Sequence, residues 1–321
     1  MEDAFVEVLG ARAHYVHAGV GRPLVLIHGL TGSAGNWRRN IPALSRDASV
    51  YAIDLMNTGK SDRLRGLDAG LEATADRVAE MMDALGLAGA DIAGHSHGGA
   101  VALMLAARHP ARVCSLMLFA PANPYCDLGD LLVRFYSTPL GGYVAKTAPY
   151  LPREVQLLLL ERMYGDPARI VEGSLEGYIE GIRLPGSVDH LLAIVQTWFA
   201  DMKKLEAALP RIAGVPAMLV WGDCDRAVSV ASAKRLQREL PGSELAVVRG
   251  AGHVVFEEMP DEANRLMLDW LRRGTVSQPE VVARSTAARQ RREPSRSASV
   301  VAKRRAGAGP RLAPEAQGRG D

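Results

Sequence analysis

The stretch Ala93-Gly94-His95-Ser96-His97-Gly98-Gly99 places a serine between glycines where one hydrophobic pattern gives way to another. Residues 91–93 before it are typical of a short buried strand, and residues 100–107 after it predict an alanine-rich helix. A serine on such a strand-to-helix turn has a strained backbone, so the positions two before and two after it must be small, and both hold glycine. The pattern indicates a nucleophile elbow with Ser96 as the catalytic nucleophile.

Around this elbow, short β-rich runs alternate with helical runs between Phe5 and Gly274. Such alternation predicts an α/β fold with a mostly parallel sheet and helices on both faces. The eight expected strands, of which the first two form a hairpin, are Phe5–Leu9, Ala13–Val16, Leu24–His28, Val50–Asp54, Asp91–Ala93, Val113–Ala120, Ala217–Gly222 and Glu244–Arg249. The expected helices are Ala34–Ser45, Leu71–Leu85, Gly98–His109, Val230–Leu240 and Phe256–Arg273.

The alternation breaks from about Asn123 to Lys204, where several short helical patterns are interrupted by Pro139, Pro149, Pro152, Pro167 and Pro185. We interpret this segment as an inserted helical cap. It holds nine of the seventeen aromatic residues of the chain, which indicates either an apolar surface facing a ligand or the cap's own small core. The expected organisation is a core of residues 1–122 and 205–274, a cap of residues 123–204 and a tail of residues 275–321.

The tail differs from the rest of the chain in composition. It carries ten Lys or Arg against four acids and has no aromatic residue, so it cannot bury enough surface to offset the entropy of ordering it. We expect a disordered basic tail. A solvated extension is favoured over an RNA-binding or lipid-binding segment, and the partner of the tail stays unknown.

Three cysteines without C-x-x-C spacing indicate neither a disulfide framework nor a zinc site. The longest apolar runs are too short to span a membrane, and the start Met1-Glu2-Asp3 lacks the basic region of a secretory signal. We therefore expect a cytoplasmic protein with reduced thiols and no membrane span.

A serine nucleophile needs a base, an acid that orients the base and donors for the oxyanion, and three further loops offer these groups. Gly250-Ala251-Gly252-His253 places a histidine on a glycine-rich loop, and we interpret His253 as the base. The run Gly222-Asp223-Cys224-Asp225 follows a strand and supplies two carboxylates, one of which orients His253. The loop Ile27-His28-Gly29-Leu30-Thr31-Gly32-Ser33 can turn a backbone N–H toward the serine, beside the N–H of His97.

With these motifs in order, residues 1–274 resemble a capped α/β-hydrolase of the serine-nucleophile branch. That family runs nucleophile, acid, base along the chain, as Ser96, Asp225 and His253 do. In its G-x-x-D pattern the fourth position carries the acid, which favours Asp225 over Asp223. Asn57 stands where the family usually has glycine, and asparagine tolerates the positive φ needed there.

The resemblance implies acyl chemistry, because a serine elbow does not form the alkyl-enzyme ester of the dehalogenase and epoxide hydrolase branches. It implies a serine hydrolase for a small or medium, largely apolar ester, lactone or thioester, with Leu30 and His97 N–H groups as the oxyanion hole. The alternatives are a carbon–carbon bond hydrolase or acyltransferase of the same fold, or a non-catalytic ligand sensor.

We expect the substrate to contact Trp37, Asn123, Tyr125 and Val254. No metal or organic cofactor is implied. The expected partner is a small-molecule substrate, and no nucleic acid is expected on the folded body.

Overall fold

The computed structural model describes residues 1–126 and 129–275. Of the expected basic tail, only Thr275 belongs to the described residues. The described chain forms one eight-stranded sheet with the order β1-β2-β4-β3-β5-β6-β7-β8. The strands are β1 Glu2–Val8, β2 Ala11–Ala18, β3 Pro23–Ile27, β4 Ser49–Ile53, β5 Ala90–His95, β6 Val113–Phe119, β7 Ala217–Gly222 and β8 Glu244–Val248. Strands β1 and β2 pair antiparallel with each other and β2 with β4, and all remaining pairs are parallel. The predicted eight-stranded, mostly parallel sheet is confirmed.

The opening hairpin is longer than expected and turns one residue earlier. Leu9 and Gly10 have φ values of 55° and 72°, so they form the two-residue turn and β1 ends at Val8. Such tight hairpin turns require positive φ at both central residues, which a strand residue does not adopt. Leu9 therefore belongs to the turn and not to the strand.

The sheet buries both of its faces, and β3 shows how the sequence achieves this. Val25 and Ile27 point into the core on one face, whereas Leu24 and Leu26 point into the core on the other. All four side chains are fully buried, and each such burial stabilises the fold by about 1.5–3 kcal/mol. The first face is covered by α2 Leu71–Ala84, α3 His97–Arg108 and α9 Val230–Glu239, and the second by α1 Ile41–Leu44, α10 Val255–Glu258 and α11 Pro260–Thr275.

Two expected helices are each divided in the structure, and a proline explains both divisions. The expected helix Ala34–Ser45 consists of a 3-10 turn, Ala34–Trp37, followed by α1, whose first turn contains Pro42. The expected helix Phe256–Arg273 is split into α10 and α11 at Met259, directly before Pro260. Proline lacks the N–H that a continuous helix would use, and it disfavours helical geometry in the residue before it.

The cap between β6 and β7 is helical in its described part. Its helices are α4 Gly129–Tyr136, α5 Pro139–Thr147, α6 Arg153–Glu161, α7 Ser174–Arg183 and α8 Ser187–Ala208. Helix α8 continues past the expected cap boundary at residue 204, because Leu205 and Ala208 at its end are buried in the core cluster that contains α3. No helix among the described residues combines the length and the apolarity needed to cross a bilayer.

Candidate active site

Ser96 stands between the end of β5 and the start of α3 with φ 51° and ψ −120°, a strained conformation for a residue with a side chain. Its N–H donates to Phe119 O at 3.0 Å, which ties the turn to the neighbouring strand β6. A Cβ added at Gly94 would lie 2.5 Å from Gly98 O, and one added at Gly98 would lie 2.2 Å from His28 O. The chain can make this turn only because both positions are glycine.

His253 and Asp225 form a buried pair on the neighbouring loops. His253 Nδ1 donates to Asp225 Oδ2 at 2.8 Å, and the two side chains are 6% and 0% exposed. The other carboxylate oxygen of Asp225 accepts the N–H groups of Ala227 and Val228 at 2.8 and 2.9 Å. This arrangement leaves Nε2 of His253 as the ring nitrogen that can take a proton. Ser96 Oγ has no hydrogen bond within the described chain, and nucleophile–base bonds often tighten only when substrate binds.

The second carboxylate of the loop has a different task. Asp223 is exposed, and its Oδ1 accepts the N–H of Gly250 at 2.6 Å. This bond joins the loop after β7 to the loop that carries His253. The hydrogen bond to the imidazole of His253 is made by Asp225 instead. The two acids are two residues apart in the sequence, but they have different hydrogen-bond partners in the structure.

The two N–H groups expected to bind the oxyanion flank the elbow. A Cβ added at Gly29 would lie 3.4 Å from Ser96 Cβ, so the loop that carries Leu30 passes directly over the serine. Neither Leu30 N nor His97 N donates a hydrogen bond within the described part of the chain. His28 holds the loop, because its Nδ1 donates to Gly29 O at 2.7 Å and its Nε2 accepts the N–H of Leu55 at 3.2 Å.

His95, which precedes Ser96, packs against His253. Its ring centroid lies 4.7 Å from that of His253 and 4.9 Å from that of Phe256. His95 Nε2 donates to His253 O at 3.2 Å. Burial, together with the nearby His253, holds the pKa of His95 well below its ordinary value, so this ring is neutral.

The cap covers the elbow from the side of α3. The ring of Trp198, on α8, stacks on His97 with centroids 6.5 Å apart and planes inclined by 28°. Burial lowers the pKa of His97 to about 3, and it lowers the pKa of His190, also on α8, to about 4. Both imidazoles are neutral at physiological pH.

The four residues expected to contact substrate are all buried in the ligand-free protein, each with packing or hydrogen-bond partners of its own. Trp37 is wholly buried, with its ring 4.2 Å from that of Phe256, in the core beneath the site. Val254 lies in the same core cluster. Asn123 donates to Pro121 O at 2.9 Å and accepts the N–H of Tyr125, whose ring lies under the guanidinium of Arg235 at 4.6 Å. No hydrogen bond or ring contact joins any of these four side chains to Ser96 within the described residues, and their contact with a substrate stays a prediction.

A buried polar cluster lies next to the glycine loops. Asp54 accepts the N–H groups of Ala34 and Lys60 at 2.6 and 2.7 Å, and His14 Nδ1 donates to its Oδ2 at 2.7 Å. His14 Nε2 bonds to Asp3 on β1. Asp54 therefore holds these loops together through its hydrogen bonds, and Asn57 in the following turn adopts φ 65°.

Several residues near the site were not assigned a role from the sequence. His95 stands inside the quoted elbow motif, so only its packing on His253 is new. Trp198 and His190 belong to the aromatic-rich cap, but nothing in the sequence indicates which cap side chains face the elbow. Glu258 follows His253 by five residues, directly before Met259 and Pro260, yet the cap residues it binds are far away in the chain.

Comparisons with known proteins indicate one fold family for this chain. A family model of the alpha/beta hydrolase fold matches residues 22–260. The dihydrolipoyllysine-residue acetyltransferase component of the acetoin cleaving system of Pseudomonas putida is 36% identical over 257 residues, which cover 79% of this chain and 64% of that protein. The chain thus spans just under two thirds of that relative.

Two further relatives are hydrolases. The 2-hydroxy-6-oxononadienedioate/2-hydroxy-6-oxononatrienedioate hydrolase of Burkholderia vietnamiensis is 29% identical, covering 82% of this chain and 91% of that protein. The solved structure of a meta-cleavage product hydrolase from Pseudomonas fluorescens IP01 is 26% identical with a TM-score of 0.71, covering 84% of this chain and 97% of that one.

Proposed function

Because the chain belongs to the α/β-hydrolase fold family, we propose that it is a serine hydrolase that cleaves small or medium, largely apolar esters, lactones or thioesters through an acyl-enzyme on Ser96. The observation that carries the proposal is the buried 2.8 Å bond from His253 Nδ1 to Asp225, on loops beside a strained serine elbow. It fixes the tautomer of His253 that a serine nucleophile requires. The N–H groups of Leu30, on the loop after β3, and of His97, directly after Ser96, add two donors without an acceptor in the described part of the chain.

In the proposed mechanism, Ser96 Oγ attacks the carbonyl carbon of the substrate while His253 Nε2 takes the hydroxyl proton. The resulting oxyanion accepts hydrogen bonds from Leu30 N and His97 N, and one such donor contributes about 2.7–4 kcal/mol to the transition state. Collapse breaks the bond to the leaving group, and His253 gives its proton to the departing oxygen or sulfur. Water activated by His253 then attacks the acyl-enzyme, which releases the acid and restores Ser96.

Carbon–carbon bond hydrolysis is the second candidate, and the Burkholderia vietnamiensis and Pseudomonas fluorescens hydrolases favour it. The first of these is named for dioate substrates, which carry two carboxylates. In this chain the cap and elbow imidazoles of His97 and His190 are neutral. The two guanidinium groups that act on His190 already have oxygen acceptors within the protein. Arg77 donates to Asp68 O and Thr74 Oγ1, and Arg63 donates to Gly59 O and Ser187 Oγ. This environment suits a neutral ester better than a dianion.

A substrate panel tests the proposal. Purified protein is assayed with p-nitrophenyl esters of increasing acyl length, a lactone, an acyl thioester and a ring-fission dioate, each with the wild type and Ser96→Ala. We expect saturable hydrolysis of the neutral acyl substrates and loss of nearly all of it in the alanine variant. Turnover of the dioate alone would replace the proposed function by the second candidate, and no turnover of any substrate would favour a ligand sensor.

A further inference from the structure

The cap is joined to the loop of the catalytic base by direct contact between two backbones. A Cβ added at Gly252 would lie 2.4 Å from Met163 O, and one added at Gly165 would lie 2.4 Å from Gly250 O. Both positions must therefore be glycine for the cap turn to reach the histidine loop. Where they meet, the N–H of His253 donates to Met163 O at 2.7 Å.

The carboxylate of Glu258 binds both backbones at this contact. Its Oε2 accepts the N–H of Gly252 at 2.7 Å, one residue before the base. On the cap side it accepts the N–H of Gly165 at 3.0 Å and the N–H of Asp166 at 3.0 Å. The guanidinium of Arg169 donates to Oε1 at 3.0 Å and also to Gly250 O at 2.7 Å. The side chain of Glu258 is wholly buried, so its carboxylate makes these bonds without access to water, whereas the Arg169 side chain that donates to it is 35% exposed.

We propose that Glu258 is a positioning residue for the catalytic base, and that it aligns His253 by holding the histidine loop to the cap turn of residues 163–166. The inference rests on the proposed function, since it concerns how His253 is held for its reaction with Ser96. The cap then helps to position the catalytic base in addition to covering the site. Any movement that lifts this turn also displaces His253.

The chemistry of the contact requires a carboxylate. Three backbone N–H groups and a guanidinium approach the two oxygens, and only an ionised carboxylate accepts on both sides. Glutamine has nearly the same shape, but its NH₂ group would face a donor in either orientation. A buried donor left without an acceptor is costly, so the loop or the cap turn must move.

The neighbouring residue provides a matched control. Glu257 is also wholly buried and also joins core to cap, because it accepts the hydroxyl of Tyr178 at 2.7 Å and lies 2.9 Å from Arg38 Nη2. Among the described residues, its carboxylate makes no hydrogen bond or ion pair with residues 250–253. Glu257→Gln therefore perturbs a buried acid between the same two parts of the molecule without touching the histidine loop.

The experiment compares Glu258→Gln with Glu257→Gln in the full chain. The readouts are Tm, kcat and KM for the best ester of the panel, and the downfield proton NMR signal of the imidazole N–H that bonds to Asp225. We expect both variants to lower Tm. Only Glu258→Gln should lower kcat, by about 10- to 100-fold with little change in KM, because small misplacements of a catalytic group have effects of this size. It should also broaden or remove the downfield signal.

A milder variant covers the case in which Glu258→Gln fails to fold. Arg169→Met removes one donor from Glu258 and one from Gly250 O at a side chain that is 35% exposed. It should lower kcat in the same direction by a smaller factor. The positioning role is overturned if kcat and the NMR signal of the foldable variant match those of Glu257→Gln. Retained turnover in Ser96→Ala would instead overturn the proposed function, and the NMR comparison would still test the positioning role.

Discussion

Replacing Asp225 by asparagine should remove turnover while leaving the fold in place. The side-chain oxygen of the new asparagine can still accept the N–H groups of Ala227 and Val228, which Asp225 Oδ1 holds at 2.8 and 2.9 Å. The NH₂ group then faces His253 Nδ1 across the present 2.8 Å contact. Because NH₂ donates, Nδ1 must become the acceptor and the ring proton moves to Nε2. A ring protonated at Nε2 cannot take the proton of Ser96.

The size of the effect follows from this tautomer change. The same asparagine replacement in a serine protease triad lowers turnover by about 10⁴-fold, and about 1.36 kcal/mol per factor of ten converts this to about 5.4 kcal/mol of transition-state stabilisation. Asp223→Asn is the control, since its oxygen can still accept the N–H of Gly250 on an exposed loop. It should cost about 1 kcal/mol of folding free energy or less and leave turnover nearly unchanged.

The assay measures kcat and Tm of both variants with the best ester of the panel. We expect Asp225→Asn to keep a Tm close to that of the wild type and to lose turnover. The reasoning is refuted if Asp225→Asn keeps more than a tenth of kcat, and the assignment is reversed if Asp223→Asn folds well but is inactive.

Two further predictions concern stability. Gly98→Ala should lower the free energy of unfolding by about 1–3 kcal/mol, because the added Cβ would lie 2.2 Å from His28 O. Gly214→Ala is the control and should be tolerated, since an added Cβ there would meet no atom within 4 Å. Equal urea midpoints for the two variants would contradict the packing of the elbow. The second concerns pH. Burial lowers the pKa of His14, but its bonds to Asp54 and Asp3 outweigh burial and raise this pKa above 6.5. The contribution of His14 is therefore full below about pH 6.5 and is lost as pH rises through the raised value. The bond from His14 also lowers the pKa of Asp3 below 3.8. For Asp54, burial raises the pKa, but the bond from His14 and the other partners outweigh burial and lower it below 3.8. The stability that these two carboxylates contribute is therefore lost only when the pH falls below about 3.8. The urea midpoint of the wild type should fall on the alkaline side and that of His14→Gln should not; parallel curves would contradict the linkage.

The sequence predicts best the features that short motifs dictate. A serine between Gly94 and Gly98 at a strand-to-helix junction can adopt little other than the observed turn, and the order of Ser96, Asp225 and His253 follows from the resemblance. The alternation of β-rich and helical runs predicts all eight strands, with boundaries that differ by a few residues. Local chemistry is sufficient for these features.

The sequence does not predict features that depend on long-range packing. The hydrophobic periodicity continues through Pro42 and Pro260, so it predicts single helices where the structure has two. The direction of the Trp37 ring depends on Phe119 and Phe256, which the chain brings there from distant positions. The role of Glu258 depends on Gly165, 93 residues away. A pattern of neighbouring residues in the sequence cannot predict contacts between such distant positions.

The most direct test of the central claim is to locate the reactive nucleophile chemically. The protein is treated with a fluorophosphonate, which reacts with a serine that a neighbouring base activates, and the labelled peptide is identified by mass spectrometry. We predict one stoichiometric adduct on Ser96, a much slower reaction in His253→Gln, and none at this peptide in Ser96→Ala. Absence of an adduct on Ser96, or an equal rate of labelling in His253→Gln, would contradict the claim that Ser96 is a nucleophile activated by His253.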